Sequence, residues 1–546
     1  MLLDAGVVSR CRRRVHLEHD TAADRSSRRG PDPGVEQRMA DAAVHRRTVA
    51  DELARRVSEG WTEVPADLPA GDRARHTESL LAAGAPFIWG GLLPVDPSGG
   101  RRGGMDLLVH TGGGYVPVLV VRHKVTDPGS GARTTPLFDL APRAARHDPL
   151  RKVRAQPRDQ LRLAHAVRLL QAAGVAAPGR ATGGVVGLEA DVVLWHDLDA
   201  RSWPGGRSAM AEYDSRFADQ IAVATAAATG ADPLALPSRV TECRSCPWWP
   251  TCEAALRSTR DVSLVLRGED AMAMRTVGVS TVDDLAALEV TAEPPAPLAG
   301  TTFPDAVLLA RAWQRDLSLV RRHTTITVPR ADVEVDVDME SFGDAGAYLW
   351  GCLLTGADVG VRPGYHAFAT WEPVPTADEG RSFAEFWGWL SEVRARAAGR
   401  GLSFRAYCYN EQAENRWMLH SAERFAAVPG VPTIAAVQAF IGSVQWVDLY
   451  AVISAEFLCA RGKGLKTIAP TAGFSWHDPA ASGENSMRWY RDAVGMDGAE
   501  PDGTQRERLL TYNADDVRAT CTLRHWMSSA AVQQVPFAGD LTPLPS

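Results

Sequence analysis

The feature that most constrains the fold is an acidic strand pattern in the second half of the chain. From Val335 to Glu340, apolar residues alternate with carboxylates, and side chains on a β-strand point alternately to its two faces. One face of this strand therefore belongs against a core, while the other carries a row of acids. Asp338 and Glu340 share that acidic face, where two oxygen ligands could hold Mg²⁺ or Mn²⁺.

The alternation leaves other interpretations open. Charged residues also protect exposed edge strands from aggregation, so the carboxylates could simply face water. Asp332 and Glu334 have the same spacing, and Asp336 shares the face. We prefer Asp338 and Glu340 because they lie at the end of the strand, just before a Ser-Phe-Gly segment, where a ligand pair can face an open site.

Length and composition indicate a multidomain protein without a membrane segment. A chain of 546 residues should divide into roughly two to four domains. It has 45% hydrophobic and 23% charged residues and no apolar run that could span a bilayer. Residues 1–20 contain arginines but no apolar signal core, so we expect a cytoplasmic protein. The net charge of -7 does not indicate nucleic-acid binding, although an acidic metal enzyme can still contain a basic groove.

Four of the eight cysteines suggest a metal or cluster site. Cys243, Cys246 and Cys252 form a C-x2-C-x5-C run, and Cys11 is the natural fourth ligand. A zinc site or plain buried cysteines are the alternatives. The remaining cysteines lie in apolar surroundings and are predicted to be core residues: Cys352, Cys408, Cys459 and Cys521.

An isolated cysteine in a basic helix, followed far downstream by C-x2-C-x5-C, resembles the iron–sulfur RecB-family nucleases. These include the CRISPR-associated four-cysteine exonucleases and the AddB-type helicase-nucleases. The resemblance implies a RecB-like restriction-endonuclease fold, of the PD-(D/E)XK type, over residues 1–257. It also implies a structural 4Fe-4S cluster, with zinc as the alternative, which ties the two ends of that domain together.

Motifs of the same family follow between the cysteines. Asp106 lies in a segment like the family's G-x-D strand, and residues 115–124 resemble the next strand, ending at Lys124. The resemblance implies that the aspartate binds metal and that the lysine positions water or stabilises charge. Arg122 stands where the family has a second acid. Because a guanidinium repels a cation, we expect this domain to cut poorly or not at all.

Two further positions match the family only in part. His45 could match its upstream histidine, although a lone helical histidine is more often an ordinary residue. Gln160 lies in a predicted helix over residues 159–170, where the family's Q-x3-Y motif would begin, but Ala164 replaces the tyrosine. The resemblance therefore implies the family's functional roles for Asp106, Lys124 and Gln160, in a domain expected to bind DNA.

Residues 258–325 are predicted to be a connector like a helix-hairpin-helix. A helix is followed by a turn at residues 277–279, and Ser280 or Thr281 can cap a second helix. Such hairpins often hold phosphate on backbone N–H groups. Helical spacing from Asp305 to Arg322 predicts a helix that introduces the last domain, residues 326–535; residues 536–546 form a tail.

The last domain resembles the ribonuclease H-like exonucleases of the DEDD class. These begin with D-x-E on the first of two neighbouring strands, and residues 348–356 are predicted to be the second. The resemblance implies a later acid on a helix, one turn after a tyrosine, and Tyr512 and Asp516 have this spacing. The tyrosine can orient or deprotonate water while Asp516 completes the metal shell.

The fourth acid departs from the class pattern. The class has N-x3-D after a strand, whereas here Asn410 is followed by Glu414, which is still an oxygen ligand; Glu411 is the rival. Asp448 could assist the site or simply cap a helix. Lys466 or nearby arginines could contact phosphates.

The order of these motifs resembles a family of bacterial nucleases in which a RecB-like domain precedes a ribonuclease H-like domain. We therefore predict an α/β protein whose last domain hydrolyses phosphodiester bonds with two metal ions, acting as a 3'-5' exonuclease on nucleic acid, with DNA in repair or processing expected. One alternative is an inactive nucleic-acid-binding scaffold. An unrelated metalloprotein is another, but it would leave the order of motifs unexplained.

Overall fold

The computed structural model describes residues 1–30, 33–57 and 59–544. These residues form two compact units, Met1–Thr259 and a second that begins at Arg260. Both units combine helices with mixed sheets, so the predicted α/β class is confirmed. No helix in the described part of the chain is long and apolar enough to cross a membrane.

The first unit is built around an eight-stranded sheet in the order β1-β2-β5-β6-β11-β12-β8-β9. Its strands are β1 Trp61–Glu63, β2 Phe87–Trp89, β3 Leu92–Asp96, β4 Arg101–Gly104, β5 Leu107–His110, β6 Tyr115–Val120, β7 Thr126–Pro128, β8 Arg133–Pro136, β9 Arg146–His147, β10 Arg151–Val153, β11 Thr182–Val186 and β12 Val192–Asp197. Its helices are α1 Arg12–His19, α2 Pro33–Arg56, α3 Ala70–Ala82, α4 Pro157–Ala172, α5 Ala209–Ala228 and α6 Trp249–Ser258.

One predicted strand of this unit is shorter than expected. The segment expected to run to Lys124 ends at Val120. The Val121 N–H still bonds to the Val186 carbonyl of β11, but the chain bends at Arg122 and leaves the sheet. The helix predicted over residues 159–170 is α4. Its Ala164 is fully buried in the core, so the position where the family has a tyrosine holds a small packing residue.

The second unit contains a five-stranded sheet in the order β16-β15-β14-β17-β18 and a β13-β19 pair. Its strands are β13 Leu319–Arg321, β14 Val333–Ser341, β15 Ala347–Gly356, β16 Gly364–Ala369, β17 Phe404–Cys408, β18 Trp446–Asp448 and β19 Phe457–Cys459. Its helices are α7 Glu269–Thr276, α8 Val282–Ala287, α9 Phe303–Gln314, α10 Asp378–Gly399, α11 Gln412–Arg424, α12 Ile434–Ile441, α13 Leu449–Glu456, α14 Leu465–Ile468, α15 Gly483–Val494 and α16 Gly503–Met527.

The acidic strand β14 lies at the centre of this sheet. It pairs antiparallel with β15 and parallel with β17. Val333, Val335 and Val337 belong to the same apolar core as Phe383 and Phe386 of α10. The acidic residues point to the opposite face, which α16 covers through the contacts described below. The alternative of an edge strand facing water is therefore wrong.

The residues predicted as a connector are part of the second unit from Arg260 onward. Thr281 caps α8: its hydroxyl accepts from the Asp284 N–H at 3.0 Å, and the Asp284 carboxylate accepts from the Thr281 N–H at 2.8 Å. The helix predicted from Asp305 to Arg322 is wrong in its second half. It ends at Gln314 because Asp316 has φ +56°, and Leu319–Arg321 forms β13 instead.

Candidate metal centre

Helix α16 brings a distant carboxylate onto the end of β14. Oxygen atoms of Asp338, Glu340 and Asp516 all lie within 4.8 Å of one another. The first two come from adjacent positions on the acidic face of the strand, and the third comes from the middle of α16. Three convergent oxygen ligands suit a hard divalent cation such as Mg²⁺ or Mn²⁺.

Each of these carboxylates accepts a hydrogen bond from a neighbouring side chain. The Asn513 amide donates to Asp338 Oδ2 at 2.7 Å, and the Ser486 hydroxyl donates to Glu340 Oε2 at 3.0 Å. The Trp476 indole N–H donates to Asp516 Oδ1 at 2.6 Å. These donors fix the orientation of the three acids, as partners of metal ligands commonly do.

The three acids lie close together although their negative charges repel one another. Burial, reinforced by repulsion from the neighbouring acids, raises the pKa of Asp338 and raises that of Glu340 to about 8. Burial also raises the pKa of Asp516. Buried like charges are unfavourable unless a cation compensates them, so this donor set fits a bound divalent metal.

Glu414 adds a fourth buried acid next to this group. It lies in the first turn of α11 and is only 4% exposed, and its Oε2 has no hydrogen-bond partner among the described residues. Burial, together with repulsion from Asp448 and Glu340, raises its pKa to about 8. An unpartnered buried carboxylate oxygen is costly, and a cation would satisfy it. The rival Glu411 is the N-cap residue of α11, and its charge also contributes to the raised pKa of Glu414.

Tyr512 and Lys466 complete the polar side of the group. The Lys466 ammonium donates to the Tyr512 hydroxyl at 2.9 Å, and that hydroxyl hydrogen-bonds Asp516. Burial and the nearby acids raise the pKa of Tyr512. The hydroxyl lies beside a candidate metal ligand, and its role in orienting or deprotonating water stays a prediction.

The other acids of the strand have different partners. The Arg524 guanidinium, fully buried on α16, binds Glu334 and lies 2.6 Å from Asp336 Oδ2. Asp332 instead accepts from the Ser403 backbone N–H at 2.9 Å, outside the buried group. Asp448 caps α13 through the Tyr450 N–H, as its helix-cap alternative predicted.

Asn513 and Gly351 received no role from the sequence. Gly351 lies opposite Asp338 on β15, and a Cβ placed there would be 1.6 Å from Asn513 Oδ1. The glycine therefore makes room for the amide that holds Asp338. The only local signal is that Asn513 follows Tyr512 in the helix; the contact itself joins residues 175 positions apart.

The predicted residues of the first unit do not form a comparable group. Asp106 accepts from the Val120 N–H at 2.9 Å and lies 3.9 Å from Arg46. Lys124 pairs with Glu189 at 3.6 Å. Among described residues, the only acid-rich group that meets metal-ligand spacing is the one in the second unit.

The side chains at the other positions of interest in the first unit also have ion-pair or hydrogen-bond partners. Arg122 pairs with Asp41 at 3.3 Å, and His45 hydrogen-bonds a backbone carbonyl, that of Gly187, at 3.1 Å. Gln160 accepts from the Trp203 indole at 2.8 Å. Asp106 and Asp41 thus each lie near a guanidinium, although burial raises the pKa of Asp106.

The four cysteines lie near one another at the junction of α1 and the segment before α6. The Cys11 N–H donates to Glu242 at 2.6 Å, which joins the two ends of the first unit. Burial raises the pKa of Cys252 to about 12, and the proximity of Cys11 contributes. Four thiols this close together could share one metal ion or one cluster.

Comparison with known proteins supports part of this assignment. A family model described as the RNase_H superfamily matches residues 418–528, so the C-terminal part of the chain contains a ribonuclease H-like domain. The matched segment includes Lys466, Tyr512 and Asp516 and begins just after Glu414; β14 lies outside it. No curated protein and no solved structure matches the chain.

Proposed function

We propose that the second unit is a metal-dependent nuclease that hydrolyses phosphodiester bonds, of the DEDD exonuclease type. The observation that carries the proposal is the convergence of Asp338, Glu340 and Asp516 within 4.8 Å, with the unpartnered Glu414 beside them. The match to the RNase_H superfamily supports a nucleic acid as the substrate class. DNA, in repair or processing, is the substrate we expect.

The four acids would hold two Mg²⁺ or Mn²⁺ ions. When bound, such ions supply Lewis acidity toward the phosphodiester and lower the pKa of the attacking water. The chain itself supplies the orientation. Asn513, Ser486 and Trp476 hold three of the acids, the Tyr512 hydroxyl can orient water, and the Lys466 ammonium offers positive charge to a phosphate oxygen.

The test is degradation of a labelled oligodeoxynucleotide by the full chain with Mn²⁺ or EDTA. Asp338→Asn and Asp516→Asn should abolish metal-dependent cleavage, because each removes a charged ligand. Asp332→Asn is the matched control: it lies just before the same strand, bonds to Ser403 instead, and should retain full activity. Cleavage that survives in both site variants would overturn the proposal.

For the first unit we propose a RecB-like fold that contacts nucleic acid without cleaving it. Arg46 beside Asp106, and Arg122 beside Asp41, support this because guanidinium groups stand where a metal would need acids. In the same assay, Asp106→Asn should leave the cleavage rate unchanged. A large loss of cleavage in this variant would place catalysis in the first unit instead.

We also propose that Cys11, Cys243, Cys246 and Cys252 hold a structural 4Fe-4S cluster. Their proximity supports a shared metal or cluster, and the C-x2-C-x5-C run resembles that of the iron–sulfur RecB-family nucleases. Anaerobically purified protein should be brown, with broad visible absorbance and stoichiometric iron and sulfide, and Cys11→Ser should lose both. Colourless protein with one zinc per chain would establish zinc in place of the cluster.

A further inference from the structure

A cavity in the first unit lies apart from every residue assigned so far. Its volume is about 600 Å³, within the range of small-molecule sites. The β5-β6 hairpin, the segment 138–143, the end of α4 and the segment 176–182 line it. Asp106 precedes β5, whereas the cavity contacts the last residues of that strand. A strand of this length spans roughly 13 Å, so the cavity is separate from the surroundings of Asp106.

The floor of the cavity is apolar and its mouth is aromatic. Val109, Val116, Leu140 and Val167 are buried around it. Phe138 is 55% exposed at the cavity. The Arg56 guanidinium lies 5.8 Å from the centroid of this ring. The part of the ring that remains exposed gains free energy when a flat apolar body covers it.

The charges at the cavity favour an anion. Its lining includes Arg143 and Arg180 but only one acid, Asp139, which accepts from the Ala141 N–H of its own segment. Arg180 is exposed and shares its charge with Asp197. Among the described residues, the Arg143 side chain has no hydrogen bond or ion pair, so its guanidinium is available to a phosphate.

Glycines let two walls of the cavity pack closely together and leave the backbone accessible at its mouth. A Cβ at Gly114 would lie 2.4 Å from the Ala176 carbonyl oxygen, and one at Gly113 would lie 3.1 Å from the Pro178 ring. The hairpin therefore packs on the segment 176–182 only because these positions lack side chains. Beside it, Gly112 meets no atom within 4 Å, so backbone at the mouth can be approached closely.

We propose that this cavity binds a nucleoside monophosphate, with the base against Phe138 and the phosphate on Arg143. Stacking on an exposed aromatic residue tolerates any base, and a guanidinium recognises phosphate through charge-assisted hydrogen bonds. The same chemistry is offered by a free nucleotide and by the terminal nucleotide of a strand. The site does not depend on the nuclease activity proposed for the second unit.

The experiment is calorimetric titration of the full chain carrying Asp338→Asn, in EDTA, so that nothing is cleaved and no metal captures phosphate. The probes are deoxyadenosine 5'-monophosphate, deoxyadenosine, inorganic phosphate and a 5'-phosphorylated oligodeoxynucleotide. We expect the monophosphate to bind more tightly than deoxyadenosine or phosphate alone. Arg143→Glu and Phe138→Ala should each weaken it by about tenfold or more.

Arg133→Glu is the matched control, since it makes the same charge change at an exposed position of β8 outside the cavity, and it should bind normally. Binding of the monophosphate but not the oligonucleotide would identify a free nucleotide as the ligand. Binding of the oligonucleotide that is lost with Arg143→Glu would identify a strand end. No binding by either probe, or equal binding by Arg143→Glu and Arg133→Glu, would overturn the proposal.

Discussion

At the scale of single residues, the carboxylates on the acidic face of β14 fall into two groups. Glu334 and Asp336 both contact the buried Arg524, and Glu334 also pairs with Arg330. Asp338 and Glu340 have no guanidinium partner and repel each other. Glu334 and Asp336 therefore belong to a buried network of ion pairs with arginines. The second group remains an uncompensated charge, which is the electrostatic condition for a metal site.

Arg524→Met tests the structural half of this division. It leaves Asp336 buried without its guanidinium and Glu334 with Arg330 alone, and removing one partner of a buried ion pair costs about 3–5 kcal/mol. Denaturant unfolding of the second unit should show that loss. Arg518→Met, on the same helix but exposed and 3.6 Å from Asp515, should cost less than about 1 kcal/mol. Equal stability of the two variants would contradict the assignment.

At the scale of elements, the site depends on how closely β15 approaches α16. Gly351 provides the space that the Asn513 side chain occupies, and Asn513 in turn holds Asp338. Trp476 makes a similar connection between the segment before α15 and Asp516. The carboxylates are thus positioned by contacts between elements, and none of the donors comes from β14 itself.

Gly351→Ala should therefore damage metal binding without removing any ligand. The methyl group would displace Asn513, and loss of a partner of a metal ligand commonly reduces metal affinity by ~10–100-fold. Titration with Mn²⁺, followed by electron paramagnetic resonance, measures this directly. Gly388→Ala in α10, where a Cβ meets nothing within 4 Å, is the control. Wild-type affinity in Gly351→Ala would show that Asn513 does not position Asp338.

At the scale of the whole molecule, the chain combines two units whose polar sites differ in charge balance. In the first unit, cations accompany the acids around Asp106. In the second, buried acids outnumber cations around Asp338, with Lys466 as the nearby positive group. We infer that divalent metal stabilises the second unit and leaves the first unaffected.

Thermal unfolding of the full chain with and without Mn²⁺ checks this inference. A ligand at about 100 times its Kd stabilises the folded state by about 2.7 kcal/mol, so wild type should unfold at a higher temperature in Mn²⁺. Asp338→Asn should be more stable than wild type in EDTA, because it relieves repulsion among buried acids, but should lose the Mn²⁺ shift. Asp106→Asn should keep the shift. A full shift in Asp338→Asn would place the metal elsewhere.

The sequence by itself determined the local features. Alternation along Val335–Glu340 predicts a strand with one acidic face, Y-x3-D spacing places Tyr512 and Asp516 on one helical face, and Thr281 was one of two predicted caps for α8. Each depends on the fixed geometry of a strand, a helix or a turn, which neighbouring residues are sufficient to specify. The end of α9 at Gln314 was missed because a left-handed residue, Asp316, interrupts a favourable helical pattern.

Only the tertiary structure decided which acids of β14 share a site. All five candidates satisfy the same local alternation, and what separates them is α16, more than 150 residues later, which places Arg524 beside Glu334 and Asp516 beside Glu340. That register follows from how the helix packs across the sheet, and no local pattern encodes it. The sequence identified the acidic face; the packing of α16 divided it into a network of ion pairs and a candidate metal site.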